Sequence, residues 1–450
     1  MAGGTFDKLA GKTRPGTYIN FESTRQDTLG NSERGIVLLP LIGHNWGPEK
    51  TFITLLAAAP DAERLKLGYS IYDEENPQML LIREAFKNAA KVIVYITESG
   101  EKASATATPL TVTAKYGGTR GNDIRFSVVA NPVGGFDVSV FLAAEKTATY
   151  EGVKTVEALI AAAADDELVV FSGTGALADT VAGTNLTGGT NVSSTNLDVT
   201  SFLDKIEAVK FNTLCFPVEN DDGDTLHTAA KAKIKYMREN MGKGVQVVMP
   251  DATTPDYEGV INVTNAVVVG GKSLTNAQAC AWVAGVTAAA SCTKSNTYTV
   301  YEGATDIVGA KSNEEAIAAI NAGELFFSFS EEGKVVVEYD INSLTTFDKP
   351  KDKTYRKNRV IRVFDAFAEA VQLNFPPNKY DNSPTGWEVM KGIGQTILKT
   401  FEDMGAIKNV DYDNDLLIDA SLSSGDETYF NVGLEAVDAA EKLYFTIKTR

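Results

Sequence analysis

Apolar and polar positions change period several times along the chain, and each change marks a different part of it. Residues 35–42 form a short apolar run and residues 92–96 another, both bounded as buried strands are. Between them, residues 79–90 repeat at helical spacing, which predicts Leu81, Ile82, Ala85 and Phe86 toward a core and Arg83, Glu84 and Lys87 toward water. From about residue 103 the period drops to two. The runs LTVTAKY, DIRFSVVA and FDVSVFLA, joined by turns at GGTRGN and NPVGG, predict a small inserted β-rich module. It carries one helical piece over 153–164 and closes in a Gly/Thr/Ser linker over 183–195.

Beyond the module, strands and helices alternate. Phe202, Leu203, Ile206 and Val209 mark a helix, 213–218 a buried strand, 226–241 a helix ended by Gly242, and 245–249 a further strand. A strand over 265–269 precedes a helix opened by the capping box Thr275/Gln278, and Ser312/Glu315 opens another that stops at Gly323. The alternation predicts a mainly parallel sheet covered on both faces. Residues 324–329 and 334–341 read as a hairpin, the charged run 349–362 as a solvated face, and 363–373 and 387–404 as helices.

Isolated period-2 runs bracket the chain: Thr17, Tyr18, Ile19, Asn20 and Phe21 near its start, and Leu443, Tyr444, Phe445, Thr446, Ile447 and Lys448 at its end. A lone strand must pair with something, and an unpaired edge templates pairing with another chain. Two outcomes are open. Either these strands complete a sheet in a neighbouring copy, or they pair inside their own subunit, with Leu443 and Phe445 adding to its core.

The length of 450 residues suffices for roughly three domains. A net charge of −17 argues against a nucleic-acid partner, since phosphate binding needs clustered Lys and Arg. No apolar run reaches the roughly 20 residues of a membrane span. The first residues, MAGGTFDKLAGK, lack the apolar core of a signal peptide, so synthesis in the cytoplasm is expected. Cys215, Cys280 and Cys292 have no metal-ligand spacing and read as buried free thiols.

Catalytic chemistry is poorly supplied. An enzyme on the alternating region would place its site at the carboxyl ends of strands, where Glu219, Asp221, Asp222, Asp224, His227 and Asp251 stand. A metal or hydrolytic site there competes with a solvated acidic loop whose Asp224 or Thr225 caps the following helix. AVVVGGKS at 266–273 approaches a phosphate loop, but Ala266 holds the first glycine position and a strand-to-helix turn fits better. Asp411, Asp413 and Asp415 imitate a calcium loop, yet Leu416 stands where glycine is needed. Gly392 and Gly394 fall in a helical pattern, not after a strand. No catalytic, cofactor or metal residue is assigned.

Read in order, ERGIVLLPLIGHNWGP, LTVTAKYGGTRGNDIRFSV, WVAGVTAAASCTKSNTY, GKVVVEYDINSLTTF with YRKNRVIRVFDAF, and the terminal EKLYFTIKTR resemble the tail sheath proteins of contractile phage tails, most closely those of Gram-positive prophages and phage-tail-like bacteriocins. The segment YDNSPTG at 380–386 is more polar than that family's pattern. The resemblance implies a subunit that polymerises into a helical sleeve of stacked rings and contracts to drive an inner tail tube through a cell envelope. Its implied partners are further copies of itself, the inner tail tube protein, and baseplate and tail terminator proteins, with no direct nucleic acid and no membrane insertion. Assembly in a host bacterial cytoplasm follows.

The implied fold class is α/β, more fully a multidomain α+β chain. Residues 1–24 are an N-terminal arm and 25–100 an N-terminal α/β part. Residues 101–195 are an inserted β-sandwich or β-barrel-like module, 196–345 a central doubly wound, subtilisin-like α/β domain without a visible triad, and 346–450 an α+β C-terminal domain with a terminal arm. The residues implied to exchange between subunits are the two period-2 runs above, accepted by an edge of a neighbour's C-terminal domain. The competing reading is a cytoplasmic α/β hydrolase or ligand-binding protein built on the acidic loop.

Overall fold

The computed structural model describes residues 2–4, 16–18, 34–177, 181–219 and 225–449. At its centre lie strands β1 (Ile36–Leu41), β2 (Phe52–Leu56), β3 (Lys91–Ile96), β4 (Thr213–Cys215), β5 (Gln246–Pro250), β6 (Val260–Val263) and β7 (Glu324–Leu325). They form one seven-stranded sheet in the order β7-β6-β5-β4-β1-β3-β2. The β2–β3 pairing is antiparallel and the others are parallel, with β1 and β3 in register from Ile36↔Lys91 to Leu41↔Ile96. All six residues of β1 are buried, which is why IVLLPL runs apolar without alternation.

Helices α1 (Pro77–Phe86) and α4 (Asn276–Ala289) cover one face, while α2 (Asn196–Lys205) and α3 (Thr225–Glu239) cover the other. At the crossing of α1 and α4, a Cβ on Gly285 would lie 2.5 Å from the Ala85 carbonyl, so glycine sets that approach. Both expected capping boxes form, at Thr275/Gln278 and Ser312/Glu315. The sheet draws strands from before and after the β-rich module, and the module folds as two packed sheets of four and three strands around Phe126, Val140 and Leu110. The C-terminal part packs α5 (Asn358–Asn374) and α6 (Pro384–Asp403) with a hairpin, Leu416–Ile418 against Phe430–Val432.

Several expectations are corrected. Glu84 does not face water: it is 1% exposed and accepts from the Tyr301 hydroxyl at 2.6 Å, with Lys87 at 2.7 Å, because Tyr301 packs flat on Trp282 above α1. The strand at Ala266–Val269 lies outside the parallel sheet, in a separate antiparallel one, and Val260–Val263 takes the expected place. Part of the expected linker is ordered: Val181–Asn185 pairs with Ile124–Ala130, and Leu186 is fully buried. The charged run 349–362 is a solvated face only in its first half: residues 349–354 are mostly exposed, while Arg356, Lys357 and Arg362 are buried.

Candidate assembly surface at the chain ends

Near the start of the chain, Gly16–Tyr18 pairs in parallel with Ala2–Gly4, in the register Gly3↔Thr17 and Gly4↔Tyr18. Thr17 and Tyr18 thus lie in a strand. Ile19, Asn20 and Phe21 fall outside the described residues.

The other end is held by the C-terminal hairpin and then released. After Gly433, whose N–H donates to the Asp415 carbonyl, the chain bonds Lys408 N–H to Glu435 and Val437 N–H to Ala406. Among the described residues no ladder extends past that point, although the 442–448 pattern predicts a strand. Side chains anchor it once more: Glu441 accepts from Ser295 Oγ at 2.8 Å and Thr297 Oγ1 at 2.6 Å and pairs with Lys357, which Asp438 also approaches at 3.9 Å. Beyond it Leu443 is 66% exposed, Tyr444 90%, Phe445 82% and Ile447 86%, and Thr446 and Lys448 are exposed as well. Leu443 and Phe445 therefore add nothing to their own subunit's core. Four large apolar or aromatic side chains in water within five residues are costly unless covered.

Around the Glu441 anchor, the central sheet and α5 are welded by buried charge. Asp340, 1% exposed, accepts from Arg362 Nη2 at 2.8 Å, Asn358 Nδ2 at 2.9 Å and the Asn296 N–H at 2.9 Å. Burial alone would raise its pKa. The Arg362 guanidinium and these donors outweigh it and hold the carboxyl below the ordinary range. Arg238 of α3 forks onto Asp365 of α5 at 2.9 and 2.7 Å, a second weld in the bidentate geometry that makes such pairs strong. Sequence reading missed these groups. The signal was present: Asn358 and Arg362 stand four apart and so share a helix face, in a run too charged for that face to look buried.

The enzyme-like positions do not converge. Asp221, Asp222 and Asp224 lie outside the described residues. Glu219 is exposed, His227 is buried with Nε2 2.7 Å from the Val218 carbonyl, and Asp251 accepts from Asn276. Gly270 and Gly271, both at positive φ, make the tight turn of a hairpin joining Ala266–Val269 to Lys272–Ser273, not a strand-to-helix turn. That leaves no loop to wrap a phosphate, and Lys272 pairs with Glu74 and Glu75. Asp411 caps its own turn through the N–H groups of Asp413 and Asn414, as expected of a turn. Gly392 and Gly394 lie inside α6. Among the described residues no group of His, Cys, Asp and Glu could hold a metal ion, and no helix is long and apolar enough to cross a membrane.

Comparison with known proteins agrees along the chain. Residues 34–95 match the tail sheath protein Gp18 domain III N-terminal region, and 98–191 the phage tail sheath protein beta-sandwich domain. Residues 193–343 match the phage tail sheath protein central domain and 350–450 the phage tail sheath C-terminal domain. The phage-like element PBSX protein XkdK of Bacillus subtilis is 35% identical over 479 residues, covering 100% of both chains. The sheath tail protein of Desulfitobacterium hafniense superposes at a TM-score of 0.82 with 39% identity, covering 96% of this chain and 99% of that one. That of Listeria innocua does so at 0.78 with 35% identity, over 94% and 96%. The contracted helical sheath of the anti-feeding prophage, at 14% identity and a TM-score of 0.57, shares the fold. Matched end to end by such relatives, the chain belongs to the phage tail sheath family.

Proposed function

We propose that this sheath subunit polymerises through its two ends. The exposed run Leu443–Tyr444–Phe445–Thr446–Ile447–Lys448 adds a strand to the C-terminal domain of one neighbour, and the Thr17–Phe21 segment does the same to another. The observation that carries the reading is the extreme exposure of Tyr444, Phe445 and Ile447 on a period-2 segment with no ladder partner among the described residues. The Leu416–Ile418/Phe430–Val432 hairpin suits the accepting role: it is two-stranded, so both edges are open, and Leu417, Tyr429 and Val432 are exposed beside it.

The remaining roles follow. Residues 1–24 act as one arm, 25–100 and 196–345 as the central body, 101–195 as the outward module, and 346–450 as the domain that carries and accepts arms. The sleeve surrounds an inner tail tube between baseplate and terminator, is assembled in the host bacterial cytoplasm, and contracts to drive the tube through an envelope. It does so without enzymatic activity, cofactor or metal, with near-rigid subunits moving between two lattices and the arms acting as hinges. Deleting residues 1–24 tests the exchange. A soluble, cooperatively folded subunit that no longer forms rods supports it, and normal polymerisation of the truncated protein contradicts it.

A further inference from the structure

The seam between the central sheet and α5 holds more guanidinium than its ion pairs use. Arg362 is 1% exposed, yet only Nη2 is engaged, by Asp340 and by the Lys294 carbonyl at 2.6 Å; its Nε and Nη1 have no partner. Arg359, one turn earlier on α5, buries an unpartnered Nε. So does Arg34, whose Nη2 reaches the Thr287 carbonyl at the end of α4 at 3.5 Å. Arg34 and Arg362 reach the Thr287 and Lys294 carbonyls on either side of Cys292, just past α4, with Arg359 one turn away; their positive fields act on its thiol, although burial prevails and pushes the thiol up.

The carboxylates nearby already have partners, and Asp365 and Glu369, which line a cavity with Arg34, also favour its charge. Asp340 is shared among Arg362, Asn358 and the Asn296 N–H, Asp365 is forked on Arg238, and Glu369 stands 3.6 Å from Lys210. Buried guanidinium N–H groups without acceptors are costly, and the groups that satisfy them best are oxyanions. The spot is reachable, because Cys292 is half-buried and touches Met404 Sδ at 3.9 Å.

We propose that Arg34, Arg359 and Arg362 form an oxyanion site beside Cys292 that takes a side-chain carboxylate of a second copy of this chain in the assembled sheath. The second half rests on the sheath reading. Charge favours that occupant: 59 acidic residues stand against 42 Lys and Arg, so a neighbouring copy presents carboxylates in excess.

Cys292 is a built-in reporter, since Cys215 and Cys280 are fully buried. The experiment measures its alkylation by iodoacetamide, by mass spectrometry, in unassembled subunit with inorganic phosphate against chloride at equal ionic strength, and again in rods. At phosphate ten times its Kd the rate should fall about tenfold, and this protection should vanish in Arg359→Gln and Arg34→Gln proteins whose circular dichroism is unchanged. Rods of the parent protein should protect Cys292 without phosphate. If phosphate protects no better than chloride, there is no such site. If phosphate protects the subunit but rods leave Cys292 fully reactive, a free anion is the occupant and the second copy is not. Failure to form any rods overturns the sheath reading and the second-copy half together, while the phosphate arm still decides the site.

Discussion

Glu441 and Lys357 form a buried ion pair, both side chains under a tenth exposed, at the point where the C-terminal segment leaves the body of the protein. The pair divides the tail into an anchor that belongs to the fold and an arm that does not. Truncation should respect that division. Removing residues 442–450 should leave thermal unfolding nearly unchanged, because the lost side chains are exposed. Removing 441–450 leaves Lys357 only the longer 3.9 Å contact to Asp438 and should cost about 2 kcal/mol. Denaturant melts of the two truncated proteins separate the cases.

The Asp340–Arg362 pair should be less tolerant. Arg362→Met removes one buried charge and leaves Asp340 facing only neutral donors, and Asp340→Asn leaves the guanidinium unpaired; each should lose about 3–5 kcal/mol. Arg238→Met tests the second weld, at Asp365. If these welds hold the C-terminal domain to the sheet, either change should also open α5 to proteolysis before the β-sandwich module is cut.

His44 sits at the carboxyl end of β1, 4% exposed, in a cleft beside Tyr69 and Arg120, and burial pushes its imidazole down to about 4. A histidine near 6.5 when unfolded and near 4 when folded binds more protons in the unfolded state across that interval. Its contribution is therefore fully present above pH 6.5 and declines as pH falls to 4, by on the order of 3 kcal/mol. Thermal unfolding followed from pH 7 to 4 should show this loss. A His44→Gln protein should show a shallower decline over the same range.

Much of this was legible in the sequence, and the reasons differ from place to place. Continuous burial on both faces made β1 and β3 plain, and the paired Thr275/Gln278 and Ser312/Glu315 side chains announced their helices. Glu84 misled because helical spacing assigns faces by polarity, whereas here a tyrosine from 217 residues away supplies its donor. The buried run Arg356, Lys357 and Arg362 misled for the same reason, since its partners Asp340 and Glu441 are remote in sequence. Val260–Val263 was too short and too near a turn to stand out from 265–269, and only the sheet decides which of the two joins it. The terminal run at 442–448 was visible as a strand pattern, but the described residues of its own chain offer it no ladder partner.

The central claim is that these subunits join into a polymer through their ends. Negative-stain electron microscopy of the concentrated, purified full-length protein, beside the protein lacking residues 442–450, tests it most directly. Hollow rods of uniform diameter from the full-length chain, and only dispersed subunits from the truncated one, are the predicted result. Closed small oligomers from both, or equally long rods from both, would contradict it.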